Sequence, residues 1–385
     1  MFQIRTRLST AAIAATLLST AAELGAEVEY IYFSTDNDGK VIRIDSDGSN
    51  PVTIINEPEL DIETFTIDPL DGVVYWSGSS NQVGRGGDIY RTNLDGSMST
   101  LFLEKDRIPA GANPGSPGTL LVDPLRRTLT IGGMDTHDIL RSDLDGTNYE
   151  IAVNKFTDDA YIFGMDIDTA RGILYWAACC PDSGPEGIMR LSIDSGERVD
   201  GPWAGLEVNP HGLAIDPLHD KLYWGRDTEI MRANLDATGF EEILSDLPRV
   251  DRVKLDVLGG KLYWMGGLDF IDGAPVRSLW RANLDGSEME TILEDVELAD
   301  FYLVMKPIAD SEFRILATRL TNDGIQLAWT GDADEHFEIE ASRDPGRGWK
   351  TIRSDWPANP TGVTAFLIDP ADLDGERFFR IRRKP

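Results

Sequence analysis

Cysteine, histidine, positive charge and long apolar runs are all scarce in this sequence. The 385 residues hold two cysteines and four histidines. Cys179 and Cys180 adjoin, so no disulfide framework spans the chain, and His211 has no second His or Cys at metal-ligand spacing. No nucleophile–base pair, paired-carboxylate signature or phosphate loop stands out either, which leaves no enzyme class announced by a motif. Lys and Arg number 36 against 66 Asp and Glu, a net charge of −30. The deficit is uneven: residues 1–309 hold 52 acidic against 25 basic residues, a balance of −27, and residues 310–385 hold 14 against 11, a balance of −3. So acidic a surface repels nucleic-acid phosphates and anionic lipid, and suits cationic partners, Ca²⁺ or simple solubility.

The apolar run from Leu8 to Leu18 falls short of the ~20 residues of a membrane span. With Arg5 and Arg7 before it and Ala21, Ala22 and Ala26 after it, residues 1–26 have the layout of a secretory signal peptide, cut after Ala22 or Ala26. No later segment is long and apolar enough to cross a bilayer. The chain is therefore expected to be secreted, extracellular or periplasmic, and to act as a monomer.

What is present is repetition. Residues 209–239 read as a short apolar strand, a turn at Asp216-Pro217-Leu218-His219-Asp220, an aromatic strand KLYW, a third strand EIMRANL and another turn at Asp236-Ala237. Matching pieces precede the aromatic pair at 66–76, 121–131, 166–176 and 254–264. An Arg-x-x-x-Asp frame starts at Arg43, Arg91, Arg141, Arg190, Arg232 and Arg281, at intervals of 48, 50, 49, 42 and 49 residues. That is the period of four-stranded propeller blades, and six frames predict six blades. The N-terminal copy, from Ile31 to Ile55, has only the last three strands of a blade. Residues 301–305 supply a matching first strand, which predicts that they complete the first blade and close the ring.

Tyr-Trp on the second strand followed by I-x-R-x-N-L-D-G resembles the class B (YWTD) repeat of the low-density-lipoprotein receptor family, a six-bladed β-propeller. The resemblance covers residues 30 to 307. Where that family has Thr-Asp after Tyr-Trp, this chain has Ser77-Gly78, Ala177-Ala178, Gly225-Arg226 and Met265-Gly266. The resemblance implies buried Tyr-Trp pairs between blades and ligands read by loops rather than by the motif.

The turns joining first to second and third to fourth strands are nearly identical from blade to blade, which marks one rim as framework. The opposite rim carries unequal loops, long at 77–88, 177–187 and 265–277 and short at 225–229, so recognition is expected there. Counting back five residues from each repeat aspartate gives Glu63, Gly118, Phe163, His211 and Asp251, with Phe301 in the closing blade. These positions are expected to ring the mouth of the central channel, with Trp203 on the loop leading to His211. Their acidic and aromatic character fits a basic or aromatic-bearing peptide, a protein or a glycan.

The alternative is a propeller enzyme of lactonase or lyase type, with a metal ion in the channel and Glu63, Asp166, His211 and Asp251 as its carboxylates and base. Asp36-Asn37-Asp38-Gly39 and Asp45-Ser46-Asp47-Gly48 lack the full ligand ladder and distal Glu of a Ca²⁺ loop, and read as Asx turns; no cofactor is expected.

After Pro307 the period stops. The strands FRILATRL, GIQLAWT, HFEIEAS, WKTIR, TAFLI and FFRIR, with Trp329 central, resemble a small fibronectin type III-like sandwich. The expected fold is thus all-β, with a signal peptide over 1–26, a propeller over 27–309 and a β-sandwich over 310–385. In an oxidising compartment Cys179 and Cys180 can close a vicinal disulfide, with free thiols as the alternative. Mass spectrometry of the mature protein without reductant distinguishes the two: the disulfide is two hydrogens lighter than the dithiol, and free thiols are alkylated at both positions.

Overall fold

A computed structural model describes residues 4–5, 28–35, 38–68, 71–80, 84–104, 117–123, 126–133, 138–153, 161–169, 171–179, 187–193, 195–196, 198–200, 210–257, 259–271, 274–305, 315–320, 325–330, 335–342, 348–358, 363–368 and 378–384. All of its regular structure is β. Trp203, Cys180 and nearly all of the N-terminal leader lie outside these residues, as does the Cys179 side chain. Two compact units divide the chain. Val28–Val304 forms one; Met305–Pro385 with Met1–Glu27 forms the other.

The repeats of the larger unit form six antiparallel sheets among the described residues. In chain order, the second to sixth have inner strands Phe65–Asp68, Pro117–Asp123, Tyr161–Asp168, Pro210–Asp216 and Val250–Asp256. Each pairs with a second strand, which carries the Tyr-Trp pair in all but the third sheet (Thr128–Gly133), then with the strand carrying the frame arginine, then with an outer strand. In the fifth sheet, for example, Lys221–Arg226 lies between Pro210–Asp216 and Glu229–Asn234, and Glu241–Leu244 forms the outer edge. The first sheet draws its inner strand from the far end of the unit: Leu298–Met305 lies beside Val28–Thr35, followed by Lys40–Asp45 and Val52–Asn56.

The Tyr-Trp dyad explains why these sheets stack face to face. Adjacent residues of a strand point to opposite faces, so each dyad seals two seams. Tyr175 packs with Leu213, Ile215 and Trp224 of the following sheet, whereas Trp176 packs with Ile139 of the preceding one. Tyr223 and Trp224 repeat the division one sheet on. All these rings are buried, and each removes on the order of 150–250 Å² of surface from water. Burial accordingly pushes the Tyr75 and Tyr175 hydroxyls up to about 12.

The frame arginines fasten the same seams on their solvent side. Arg190, Arg232 and Arg281 donate to the carbonyls of Leu235 (2.8 Å), Leu284 (3.1 Å) and Ser46 (3.3 Å), each on the next sheet. The last of these joins the sixth sheet to the first. Arg232 and Arg281 also pair with Glu241 (2.7 Å) and Glu290 (2.8 Å) on the outer strands of their own sheets.

The turns of one rim use repeated local chemistry. Asp123, Asp168, Asp216 and Asp256 accept the backbone N–H three residues on, at 2.7–3.1 Å, which closes each turn after the inner strand. Asp47, Asp95, Asp145, Asp236 and Asp285 accept the N–H two residues on, at 2.9–3.1 Å, which repeats in four more sheets the Asx turn read at Asp45–Gly48; Asp36 and Asn37 of the other Asx reading lie outside the described residues. Gly96 follows one of these at φ 82°, and a Cβ there would stand 2.6 Å from the Ile54 carbonyl oxygen of the preceding sheet. Only glycine fits both the backbone and the approach.

The smaller unit contains a three-stranded sheet (Ile315–Leu320, Ile325–Thr330, Val363–Ile368) and a four-stranded one. In the latter, Phe378–Arg383 lies between Ile4–Arg5 and His336–Ser342, with Lys350–Pro357 at the edge. One apolar cluster around Trp329, Phe337, Ile339 and Phe379 draws on both sheets.

The position of Leu298–Met305 yields a prediction. A chain ending at Glu297 would bare the edge of Val28–Thr35 and lose the packing of Leu298, Phe301 and Leu303. It is expected to aggregate or unfold, as read by size-exclusion chromatography and circular dichroism. A chain lacking only 310–385 is expected to keep a cooperative transition.

Candidate functional site

The inner strands approach one another near the positions counted from the repeat aspartates. The approach is close. A Cβ on Gly164 would stand 2.7 Å from Gly212 Cα, and one on Gly212 would stand 2.6 Å from Arg252 Cα. Glycine at these two positions lets three inner strands nearly touch.

Arg252 occupies the centre. Its Nη1 donates to the Phe163 carbonyl (3.0 Å), its Nη2 to the Gly118 carbonyl (3.1 Å), and its Nε lies 3.4 Å from the Asp300 carboxylate. The Nε makes no aligned hydrogen bond, so this last contact is a charge pair. Asp300 also accepts the Thr64 hydroxyl (2.6 Å) and the Phe301 N–H (2.8 Å). One guanidinium thus ties the sixth sheet to the third, fourth and first, and Asp300 ties the first to the second. A rigid planar fork suits this task better than a lysine.

Asp251 lies between two further arginines, Arg249 (Nε to Oδ1, 2.9 Å) and Arg277 (Nε to Oδ2, 3.2 Å). Arg277 also donates to the Leu298 carbonyl, extending the network towards the closing strand. His211 is 5% exposed, its ring 5.4 Å from that of Phe163. Burial, and then the Arg249 charge, hold its imidazole below the usual histidine range; its Nδ1 is buried without a hydrogen-bond partner. Asp166 is half-buried: its carboxylate accepts the Ile215 N–H of the next sheet (2.8 Å) and its neighbour Ile167 N–H (2.8 Å). Burial pushes that carboxyl above the ordinary range, against the opposing Ile215 N–H bond and Lys254 charge.

Of the counted positions, Phe163 and His211 lie ring to ring, Gly118 and Phe163 offer their carbonyls to Arg252, Asp251 pairs with Arg249, and Glu63 is half-buried next to Thr64. Phe301 is a correction. It is 1% exposed, because Phe301 and Leu303 fall on the packed face of the closing strand. Asp300 takes the mouth position of the first sheet instead. The sequence reading also missed Arg249, Arg252 and Arg277. Their signal was the run RVDR at 249–252, where two arginines flank the counted aspartate.

The carboxylates named for a channel enzyme do not converge: Asp251 is held by two arginines and Asp166 by backbone N–H groups. Among the described residues, no group of three or more His, Cys, Asp or Glu is placed to hold a metal ion. No described helix is long and apolar enough to cross a membrane.

These features resemble those of YWTD-type β-propellers. No protein-family model matches the chain. Its curated relatives are low-density-lipoprotein receptor-related proteins and cueball proteins. Low-density lipoprotein receptor-related protein 5 of Mus musculus is 29% identical over 207 residues, 53% of this chain and 12% of that protein. Protein cueball of Drosophila ananassae is 23% identical over 215 residues, 54% of this chain and 32% of its own length. The human protein described as low-density lipoprotein receptor-related protein 5-like is 28% identical over 198 residues, 51% of this chain and 71% of that one. The chain therefore spans only a minor part of the first two. Among solved structures, one chain of a nidogen/laminin complex superposes with a TM-score of 0.57 at 20% identity, covering 71% of this chain and 97% of that one. A putative TolB from Agrobacterium tumefaciens gives 0.51 at 13% identity, covering 73% and 99%. At these identities the structural matches establish the fold alone.

The buried imidazole sets a pH prediction. A histidine held below its ordinary value of 6.5 binds fewer protons in the folded state than in the unfolded state, which takes up a proton near 6.5. The unfolded state then binds more protons, so this contribution is complete above 6.5 and is lost as pH falls from there towards the folded value. The melting temperature is expected to decline between pH 7 and 5, and less so in His211→Gln. Parallel declines in the two proteins would remove His211 as a cause.

Proposed function

We propose that this chain is an exported, non-catalytic binding protein. In this reading a six-bladed propeller, its ring closed by Leu298–Met305, presents the rim around its channel mouth to a protein, peptide or glycan. The leader over residues 1–26 directs export, and residues 310–385 are a fibronectin type III-like β-sandwich appended to the propeller. The observation that carries the reading is the arginine network at the mouth. Arg252 spans the mouth between inner strands, with one guanidinium on the Gly118 and Phe163 carbonyls and the Asp300 carboxylate. Phe163 and Asp251, each partly exposed, surround it. A rigid floor with partly exposed acidic and aromatic side chains suits recognition, because little side-chain freedom is lost on binding.

The relatives agree in kind. Several are named as low-density lipoprotein receptor-related proteins, and the nidogen/laminin structure is a complex with another protein. Extracellular placement and protein ligands are accordingly the closest analogy for this chain. Acidity bears on the partner: with −27 over residues 1–309, basic ligands are favoured and their binding weakens as salt rises.

A glycan and peptide array probed with the full-length protein tests the reading. Substitution of Glu63, Phe163, Trp203 or Asp251 by Ala is expected to weaken a bound ligand by ~1–3 kcal/mol at a central anchor. For the partly exposed probes Glu63 and Phe163, the melting temperature is expected to move little. Unchanged affinity in all four variants would place the site elsewhere.

A further inference from the structure

The sixth sheet carries a feature that the mouth does not use. Its aromatic strand, Lys261–Ile271, and its frame strand, Ala274–Asn283, run on beyond the sheet. The last pairing of the first with the inner strand is Val250↔Gly266, and the last pairing of the second with the outer strand is Arg277↔Val296. Past these points the two strands pair only with each other, through Asp269↔Val276, Phe270↔Pro275 and Ile271↔Ala274. A free two-stranded ribbon is marginal in water and gains from cover. This one exposes its apolar side chains: Leu268 is 43% exposed, Phe270 62% and Ile271 48%. Single exposed apolar residues are ordinary, but Leu268 and Phe270, alternate residues of the strand, form a patch, with Ile271 on the opposite face at the tip.

The ribbon is held in place rather than loose. Gly267, at φ 73°, donates its N–H to the Arg249 carbonyl (2.7 Å), and Gly266 lies so close to that carbonyl that a Cβ would overlap it. The fifth-sheet turn supports the same segment, since its Asp227 and Thr228 carbonyls accept the N–H groups of Val250 (2.8 Å) and Leu247 (3.0 Å). The long hairpin thus rises beside the shortest loop of the rim, making a wall over a floor that leads past Pro248 and Arg249 to Asp251. Charge around it is mainly negative. Asp227, Asp246 and Asp269 are exposed there, and Arg249 is already paired with Asp251.

We propose that the tip Leu268–Ile271 is a docking wall for an extended, basic segment of a partner protein. Apolar side chains of that segment cover Leu268 and Phe270, and its lysines or arginines face Asp227, Asp246 and, past the strand edge, Asp269. An extended segment suits a projecting ribbon because alternate side chains meet the apolar patch while the others reach the charges. A basic partner complements the acidic surroundings and is drawn in at long range. This rests on the reading of the variable rim as the binding face, and names the element and the ligand chemistry within it.

A positional-scanning library of synthetic decapeptides, probed with the full-length protein, is expected to select large apolar residues alternating with Lys or Arg. A fluorescein-labelled peptide of that pattern is then titrated by polarisation against the parent, a Leu268→Ser/Phe270→Ser variant and a Phe163→Ala/Asp251→Ala variant. The hairpin variant is expected to bind at least tenfold more weakly with an unchanged melting temperature. Asp269→Lys, a second variant, is expected to weaken the same peptide and to reduce its salt dependence.

Full binding by both hairpin variants overturns the inference. If the mouth variant alone weakens binding, the rim reading stands and the hairpin assignment falls. If neither site matters, both fall. Selection of no basic-apolar sequence overturns it too. So does Phe270-dependent capture by neutral phosphatidylcholine vesicles, or self-association abolished by the hairpin variant, since those assign the patch to a membrane or to a second copy.

Discussion

Everything in the larger unit depends on the seam between neighbouring sheets. A four-stranded sheet with two apolar faces is unstable alone, and each seam buries one face against the next. The Tyr-Trp dyad serves two seams at once because neighbouring side chains of a strand face opposite ways. The frame arginines then satisfy carbonyls on the following sheet where the seam meets solvent. A buried or half-buried carbonyl without a partner costs about 1–3 kcal/mol, so these bonds repeat for the same reason the aromatics do. The seam from the sixth sheet to the first uses the same arginine, Arg281, although its partner Ser46 is 235 residues distant.

Stacking sheets so closely brings the inner strands together and produces the mouth. Gly164 and Gly212 permit an approach that no side chain would, and Arg252 fills the space with a charged fork whose partners come from other sheets. Buried charge is tolerated only where it is paired and hydrogen-bonded, and Asp300 with two carbonyls meets that condition. The surrounding charges are arranged likewise, Asp251 between Arg249 and Arg277. The mouth is thereby stiff, and its exposed groups are displayed on elements that the seams already hold. Variation is left to the loops of that rim, from the short turn of the fifth sheet to the projecting hairpin of the sixth.

The sequence determined the strand order, the period and the roles of local residues, because those are written in short-range patterns. Intervals near 49 residues, the aromatic pairs and the Asp-centred turns each reflect chemistry within a few positions, and the sheets and Asx turns follow from them. The contact between the Phe163 and His211 rings, and the pairing of Asp251 with Arg249, fall at positions that a fixed count from a repeat aspartate picks out, one to each sheet. The count failed at Phe301, where only the strand's tertiary partners decide which side chain turns inward; Asp300, one residue away, takes that role. Tertiary structure alone also decided the importance of Arg252. Its partners lie 134 and 89 residues earlier and 48 residues later in the chain, and no local pattern records which carbonyls will face a guanidinium once the ring of strands has formed.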